Sequence, residues 1–221
     1  PSSLLPNLAS VVHIHYTTME WNMTGVKTRS YDSTGRREGA MRTRGVVLDA
    51  AERRFLGTGY SVSTIAAIAH DANVSVETIY KAYGGKAGLV RAIWERGLAG
   101  RGPVPAYERS DAMQAVEEKP AEILRKWGVL TTEVAPTVAP ILLLVRAAAA
   151  TDPEMAALLA ETDAQRLRRM RRNARELVKR RCLREGVTLA QAADVLWTYS
   201  SPELYELLVL RRKWSLPRYG R

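Results

Sequence analysis

The residues capable of covalent or metal chemistry are few in this chain of 221 residues, and their spacing does not suit such work. His13 and His15 lie in an irregular stretch, His70 falls in a predicted helix, and Cys182 has no histidine near it in sequence. Asp49 with Glu52 and Glu117 with Glu118 are carboxylate pairs in ordinary helical or loop surroundings, where a solvated face accounts for them better than acid and base catalysis. No His, Cys and carboxylate set has the spacing of a zinc site. Gly84-Gly85-Lys86 lacks the spacing of a phosphate-binding loop. The expectation is a protein that is not an enzyme, with no metal and no cofactor.

A different chemistry is written between Ser63 and Lys86. Ser63 or Thr64 can cap a short helix whose inner face is Ile65, Ile68 and Ala69. Asn73 tolerates the left-handed conformation that a sharp turn needs, and Ser75 can cap the next helix. Val74 and Ile79 lock that helix inward, while Val76, Glu77, Tyr80, Lys81 and Tyr83 stay outside. A helix that enters the major groove must be short, held steeply by a second helix, and exposed from its first turn. This pattern reads as a helix-turn-helix; the plainer alternative is a small helical bundle with solvated faces.

The elements that must hold this pair follow from periodicity. From Met41 apolar residues recur at three- and four-residue steps (Val46, Val47, Ala50, Ala51, Phe55), and Gly57 and Gly59 end that helix. A fourth helix begins near Lys86 and buries Leu89, Val90, Ile93 and Trp94; residues 102–107, with Pro103 and Pro105, read as a connection. Pro120 opens a further helix, Pro136 and Pro140 divide it from the next over Ile141 to Ala150, and Thr151, Asp152 and Pro153 start the longest one, out to Gly186. Thr188 and Ser201 cap two more, over 188–199 and 202–213. No strand has better than weak support. The predicted fold is all-α: a three-helix domain with a helix-turn-helix over 41–100, then a second helical domain over 101–221.

Composition sets the outer limits. The formal charge is +10, with 46% apolar residues, so a core can form and global disorder is excluded. A lone cysteine rules out an internal disulfide and points to a reducing compartment. No uninterrupted apolar run approaches the roughly 20 residues of a membrane span, and residues 1–12 lack the pattern of a secretion signal, so a cytoplasmic protein without a membrane partner is expected. Residues 1–40 read as an irregular basic arm that continues into Arg42 and Arg44; it is open both to reaching DNA and to having no role. Between Arg166 and Arg184, ten of nineteen residues are Arg or Lys and one, Glu176, is acidic; a solvated helix face is the favoured reading.

The run from Arg44 to Val90 resembles the tetracycline-repressor-type (TetR) family of bacterial regulators. Residues 44–55 (RGVVLDAAERRF), 59–69 (GYSVSTIAAIA) and 74–86 (VSVETIYKAYGGK) match its first three helices in order and spacing. A weaker likeness covers 196–208 (LWTYSSPELYELL). Asn73 departs from the usual turn glycine and Tyr83 from the common phenylalanine, and neither breaks the motif.

The resemblance implies a three-helix DNA-binding domain with a helix-turn-helix over 41–100, followed by a helical ligand-binding (effector-binding) and dimerisation domain over 101–221, and it implies roles residue by residue. Ser63 and Thr64 would meet phosphate and Ser75 would cap the recognition helix. Val76, Glu77, Lys81 and Ala82 would face bases, Thr78 and Tyr80 the groove edge or backbone, and Lys86 a phosphate. Glu77 would either accept from a cytosine amine or point away. The last two helices would pair with their mates in a dimer through Ala192, Ala193, Leu196, Trp197, Leu204, Leu207 and Leu208; the plainer reading is that these fill the monomer's own core. Two recognition helices about 34 to 36 Å apart would then read a palindromic operator. A ligand cavity would draw on Trp127, Leu130, Thr131, Val134, Ile141, Leu144, Val145, Met155, Leu159, Met170 and Tyr199, with Glu133, Arg146 or Asp163 as polar anchors.

The resulting expectation is a homodimeric repressor released from its operator by a small, largely apolar ligand. Two alternatives stay open: a DNA-binding regulator controlled by a protein partner or by abundance, and a helical interaction module without DNA binding. The effector, the operator and the sign of regulation are not written in the sequence.

Overall fold

A computed structural model describes residues 33–100 and 102–221, with side chains from Arg37 onward; the earlier part of the basic arm lies outside the described residues. Ten α-helices and one π-helical turn follow in order, with no strand among the described residues. Helix α1 (Ser33–Gly57) is followed by α2 (Ile65–Asp71), α3 (Val76–Tyr83) and α4 (Lys86–Ala99). Then come α5 (Ala106–Val116), α6 (Pro120–Ala148), α7 (Pro153–Lys179) and α8 (Leu189–Tyr199). The chain closes with α9 (Pro202–Tyr205), a π-helical turn (Glu206–Arg211) and α10 (Leu216–Tyr219).

Local chemistry accounts for most helix starts. The side chains of Thr64, Ser75, Asp152, Thr188 and Ser201 each accept from a backbone N–H in the first turn of α2, α3, α7, α8 and α9 respectively. At Thr188 the bond is reciprocal: the Gln191 side chain accepts from the Thr188 N–H at 2.9 Å. These caps satisfy amides that no earlier turn can reach.

Five expectations change. Helix α1 begins at Ser33, eight residues before the expected break at Met41, because the polar stretch that opens it needs no buried face to be helical. Helix α5 was not legible, since its apolar periodicity is weak. Pro136 and Pro140 do not divide the chain; both sit inside α6, which runs unbroken for 29 residues. Thr131, Thr132 and Thr137 around them return their hydroxyls to the carbonyls of Trp127, Val129 and Val134. Packing against α1, α4, α5, α7, α9 and α10 holds the helix in place where isolated propensity would break it. Helix α7 stops at Lys179, short of Gly186, and Arg181 turns the chain at φ 53. The last expected helix ends early, passing into the π-helical turn at Glu206.

Helix α6 is also long and apolar enough to cross a membrane by composition, contrary to the expectation from the sequence. It packs against α1, α4, α5, α7, α9 and α10. One core runs across the expected domain boundary near residue 100. Phe55, Ile68 and Ile79 from the first helices join Leu89, Val90 and Trp94 of α4, then Ile141 and Val145 of α6 and Met155 and Leu158 of α7. A second, small cluster joins Ala174 of α7 to Ala192 and Ala193 of α8. The C-terminal residues lie close on α6: a Cβ at Gly128 would stand 1.9 Å from the Gly220 carbonyl oxygen, so only glycine permits that approach.

Candidate nucleic-acid interface

Helix α3 owes its orientation to one side chain and one turn. Ile79 is wholly buried against the core, and full burial of such a side chain is worth about 1.5–3 kcal/mol. Asn73 takes φ 51, and around it the Val74 N–H donates to the Ala69 carbonyl at 3.0 Å and the Asn73 N–H to that of His70 at 3.1 Å. This tight turn carries the chain from α2 directly into α3. Gly84 at φ 74 ends α3, donating its N–H to the Tyr80 carbonyl at 2.8 Å.

With Ile79 inward, Val76, Glu77, Thr78, Tyr80, Lys81 and Ala82 are all exposed. Tyr80 is 53% exposed and Val76 41%, unusual for an aromatic and a β-branched residue on a helix whose core contact is already made. Ser75 caps α3 through the Thr78 N–H at 3.1 Å and also lies 2.8 Å from the Thr78 hydroxyl, so those two side chains hold each other. Glu77 sits in the first turn, where a carboxylate suits the positive helix end on its own account. Thr64, Arg42 and Arg44 are exposed as expected. Arg44 also reaches over the Tyr83 ring, 5.9 Å from its centroid.

Ser63 differs from expectation. Its side chain is buried, and the hydroxyl donates to the Gly59 carbonyl at 2.7 Å and lies 3.2 Å from the Thr58 hydroxyl. It shapes the loop before α2, and its side chain is not presented to phosphate. Lys86 is half-buried: its Nζ stands 4.2 Å above the Tyr60 ring and donates to the Ser61 carbonyl at 3.4 Å.

Ion pairs fasten the unit. Arg54 of α1 grips Asp71 of α2 with Nε at 2.5 Å and a terminal nitrogen at 2.9 Å, and this holds the Asp71 carboxyl below its ordinary range. Arg96 of α4 reaches back to Asp49 at 2.7 Å and Glu52 at 2.6 Å on α1. The expected carboxylate pair Asp49 and Glu52 therefore serves α4 packing.

Two links missed from sequence bind this unit to α7. The Tyr60 hydroxyl donates to Asp152 across 3.0 Å, and Arg91 of α4 pairs with Glu161. Burial, then the Asp152 bond, raises the Tyr60 pKa. Between these links lies a cleft of about 330 Å³, lined by residues including Gly84, Gly85, Glu154 and Leu158. Another, of about 420 Å³, opens between α1 and α4 beside Met41 and Arg44.

The expected cavity residues are less united. Ile141, Val145 and Met155 are wholly buried in the core shared with α4, Leu144, Val134 and Leu159 pack at its edge, and Trp127, Leu130, Thr131 and Met170 are half-buried. Tyr199 is 71% exposed and does not join them. Glu133 pairs with Arg109 of α5 at 2.5 Å. Arg146 pairs with Glu203 and approaches Asp163 at 4.0 Å, and Asp163 in turn meets Arg166 at 3.2 Å. Arg166 stacks over Trp197 at 4.2 Å, and burial lowers its pKa. Several buried polar atoms in these helices lack a protein partner, among them the indole nitrogens of Trp127 and Trp197 and Nε of Arg166.

The expected dimer residues split. Ala192 and Ala193 are buried within the chain against α7, a correction to their assignment, because small residues there allow α8 to approach closely. Leu196 packs beside them and Trp197 lies under Arg166. Leu204 and Leu208 are half-buried, whereas Leu207 is exposed. Val195 and Leu210, not among the expected dimer residues, and Tyr199, expected in the cavity, are exposed as well. Their signal was present as apolar residues in excess of what one inner face can use.

Residues 47–93 match the family model described as bacterial regulatory proteins, tetR family. No curated protein matches the chain. Solved structures share the fold. The fatty acid degradation regulator FadR from Bacillus halodurans superposes with a TM-score of 0.65 at 16% identity, over 80% of this chain and 90% of its own. NalD, the secondary repressor of the MexAB-OprM multidrug efflux pump in Pseudomonas aeruginosa, gives 0.60 at 18% identity, over 83% and 92%. SmeT in its complex with triclosan gives 0.63 at 21% identity, over 81% and 86%.

Proposed function

We propose, from the premise that residues 47–93 belong to the tetR family of bacterial regulatory proteins, that this chain is a homodimeric, cytoplasmic transcriptional repressor that reads palindromic operator DNA through α3. The observation that carries the reading is the division of α3 into one buried anchor, Ile79, and an outward row of Val76, Glu77, Thr78, Tyr80, Lys81 and Ala82. Only Ile79 and, contrary to expectation, the half-buried Tyr83 at the helix end pack inward, so the rest of α3 is left for something else to contact, and its eight-residue length suits the major groove. Lys86 and Thr64 flank it where phosphates would run.

Dimerisation would use the apolar surface of α8 and the turn after α9, with Val195, Tyr199, Leu207 and Leu210 at its centre. Release by a small, largely apolar ligand draws support from SmeT, whose structure holds triclosan, and from the unpartnered buried polar atoms of α6, α7 and α8. The second reading, a regulator without a small effector, is favoured by one observation: Ile141, Val145 and Met155 are closed into the core shared with α4.

Selection of bound duplexes from a random pool tests the central claim. Lys81→Ala should change the preferred sequence, whereas Lys86→Ala should weaken all sequences about equally and reduce the salt slope by roughly 1. Two variants that bind every duplex like the parent protein would end this assignment.

A further inference from the structure

The arginines of α7 divide into two sets. Arg166, Arg169 and Arg180 are engaged within the chain: Arg166 beneath α8, Arg169 with Asp111 at 2.8 Å and the Tyr107 carbonyl at 3.1 Å, Arg180 with Glu176 at 2.9 Å and the Gln114 carbonyl. Arg168, Arg171, Arg172, Arg175 and Lys179 are exposed. At about 100° per residue they fall within roughly 100° of arc, directly opposite the buried Thr162, Asn173, Ala174 and Leu177. Arg172 shares Asp111 with Arg169, and Lys179 shares Glu176 with Arg180. Arg168, Arg171 and Arg175 form no ion pair among the described residues, and Glu161, which feels the charge of Arg168, already pairs with Arg91.

Arg54, Arg91, Arg96 and Arg109 on other helices each have a carboxylate, whereas this face gathers exposed arginines on one arc with only Asp111 and Glu176 beside them. Cations three and four residues apart on one face repel. The face is therefore uncomfortable alone and is relieved by a polyanion.

We propose that the outer face of α7 is a second nucleic-acid surface that binds the phosphate backbone of duplex DNA without reading sequence. From Arg168 to Lys179 the helix rises about 16 Å. A duplex laid along it presents about five phosphates per strand over that length. The set is mostly arginine, whose fork accepts phosphate oxygens in pairs. The proposal does not depend on α3 reading an operator.

The test uses the full chain and a duplex of random sequence, titrated between about 50 and 200 mM salt. Three neutralised phosphate contacts fewer should cut the salt slope by about 2.7, so the parent protein's advantage over Arg168→Gln/Arg171→Gln/Arg175→Gln should shrink about sixfold per doubling of salt. The matching triple Lys variant should keep most of the slope, and the Gln variant should melt no lower than the parent, as expected where repulsion is removed. Sequence preference in a random-pool selection should not change. An unchanged slope in the Gln variant overturns the proposal. So does duplex binding that survives the substitutions while binding to phosphatidylglycerol vesicles is lost, which would make the face a membrane surface. If the parent shows no sequence preference yet keeps the arginine-dependent slope, the operator reading fails and this one stands.

Discussion

The Tyr60 hydroxyl and the Asp152 carboxylate meet at 3.0 Å across 92 positions of sequence. Asp152 divides its two oxygens: Oδ1 caps α7 through the N–H groups of Glu154 and Met155, and Oδ2 accepts from Tyr60. Tyr60 in turn lies under Lys86 and packs against Phe55 with ring centroids 5.6 Å apart. A single carboxylate thus starts the longest helix but one and fixes the loop beside the proposed phosphate lysine.

Tyr60→Phe should keep the ring packing and remove only the link. Loss of a hydrogen bond to a charged group whose other partners remain predicts a decrease in stability of about 1 to 2 kcal/mol by urea denaturation. Far-ultraviolet circular dichroism should be unchanged. A variant as stable as the parent would show that the link contributes nothing net.

Acid should release the same link. The Met155 N–H first, then the Tyr60 hydroxyl and the Glu154 N–H, hold the Asp152 carboxyl below its ordinary range, against the opposing effect of its partial burial. A carboxylate depressed in the folded state stabilises fully above its unfolded value of about 3.9, and that contribution drains as pH falls toward the lower folded value. The stability gap between the parent and Asp152→Asn, which retains capping ability, should therefore be largest near neutrality and close below about pH 4. A gap independent of pH would remove the carboxylate from this role.

At Asn73 the backbone is left-handed, so glycine should be tolerated and alanine should not. Asn73→Ala is expected to cost about 1 kcal/mol, with Asn73→Gly close to the parent. Equal melting temperatures for all three would mean that the turn relaxes when the residue changes.

Leu207 is the most informative position on the proposed dimer face, being 47% exposed in the single chain. Leu207→Glu should leave the monomer folded but shift sedimentation to the single-chain species, with operator affinity falling in parallel. A dimer that tolerates the charge would place the interface elsewhere.

Much of the fold was legible because cap chemistry is local. Thr64, Ser75, Asp152, Thr188 and Ser201 announce helix starts using only the three or four residues that follow them. The outward row of α3 was legible for the same reason, once Ile79 fixed which side faces in. What escaped depended on distant partners. Ser63 reads as a cap until Gly59 folds back to accept its hydroxyl. Ala192 and Ala193 read as an outer contact until α7 arrives to cover them. Pro136 and Pro140 read as breaks because their cost is local while the packing that offsets it comes from six other helices.

Helix α6 has no knee. At one end Gly128 lies against the Gly220 carbonyl; ten residues on, Thr137 and Val138 press so closely on Gly97 of α4 that a Cβ there would come within 3.0 Å of Val138. Pro136 and Pro140 lie beside these points without ending the helix. The two contacts stand about 15 Å apart along one helix, so the segment around Gly220 and the helix that carries Lys86 at its mouth share a single support. Substituting Gly128 or Gly97 would disturb the two ends of that shared support separately.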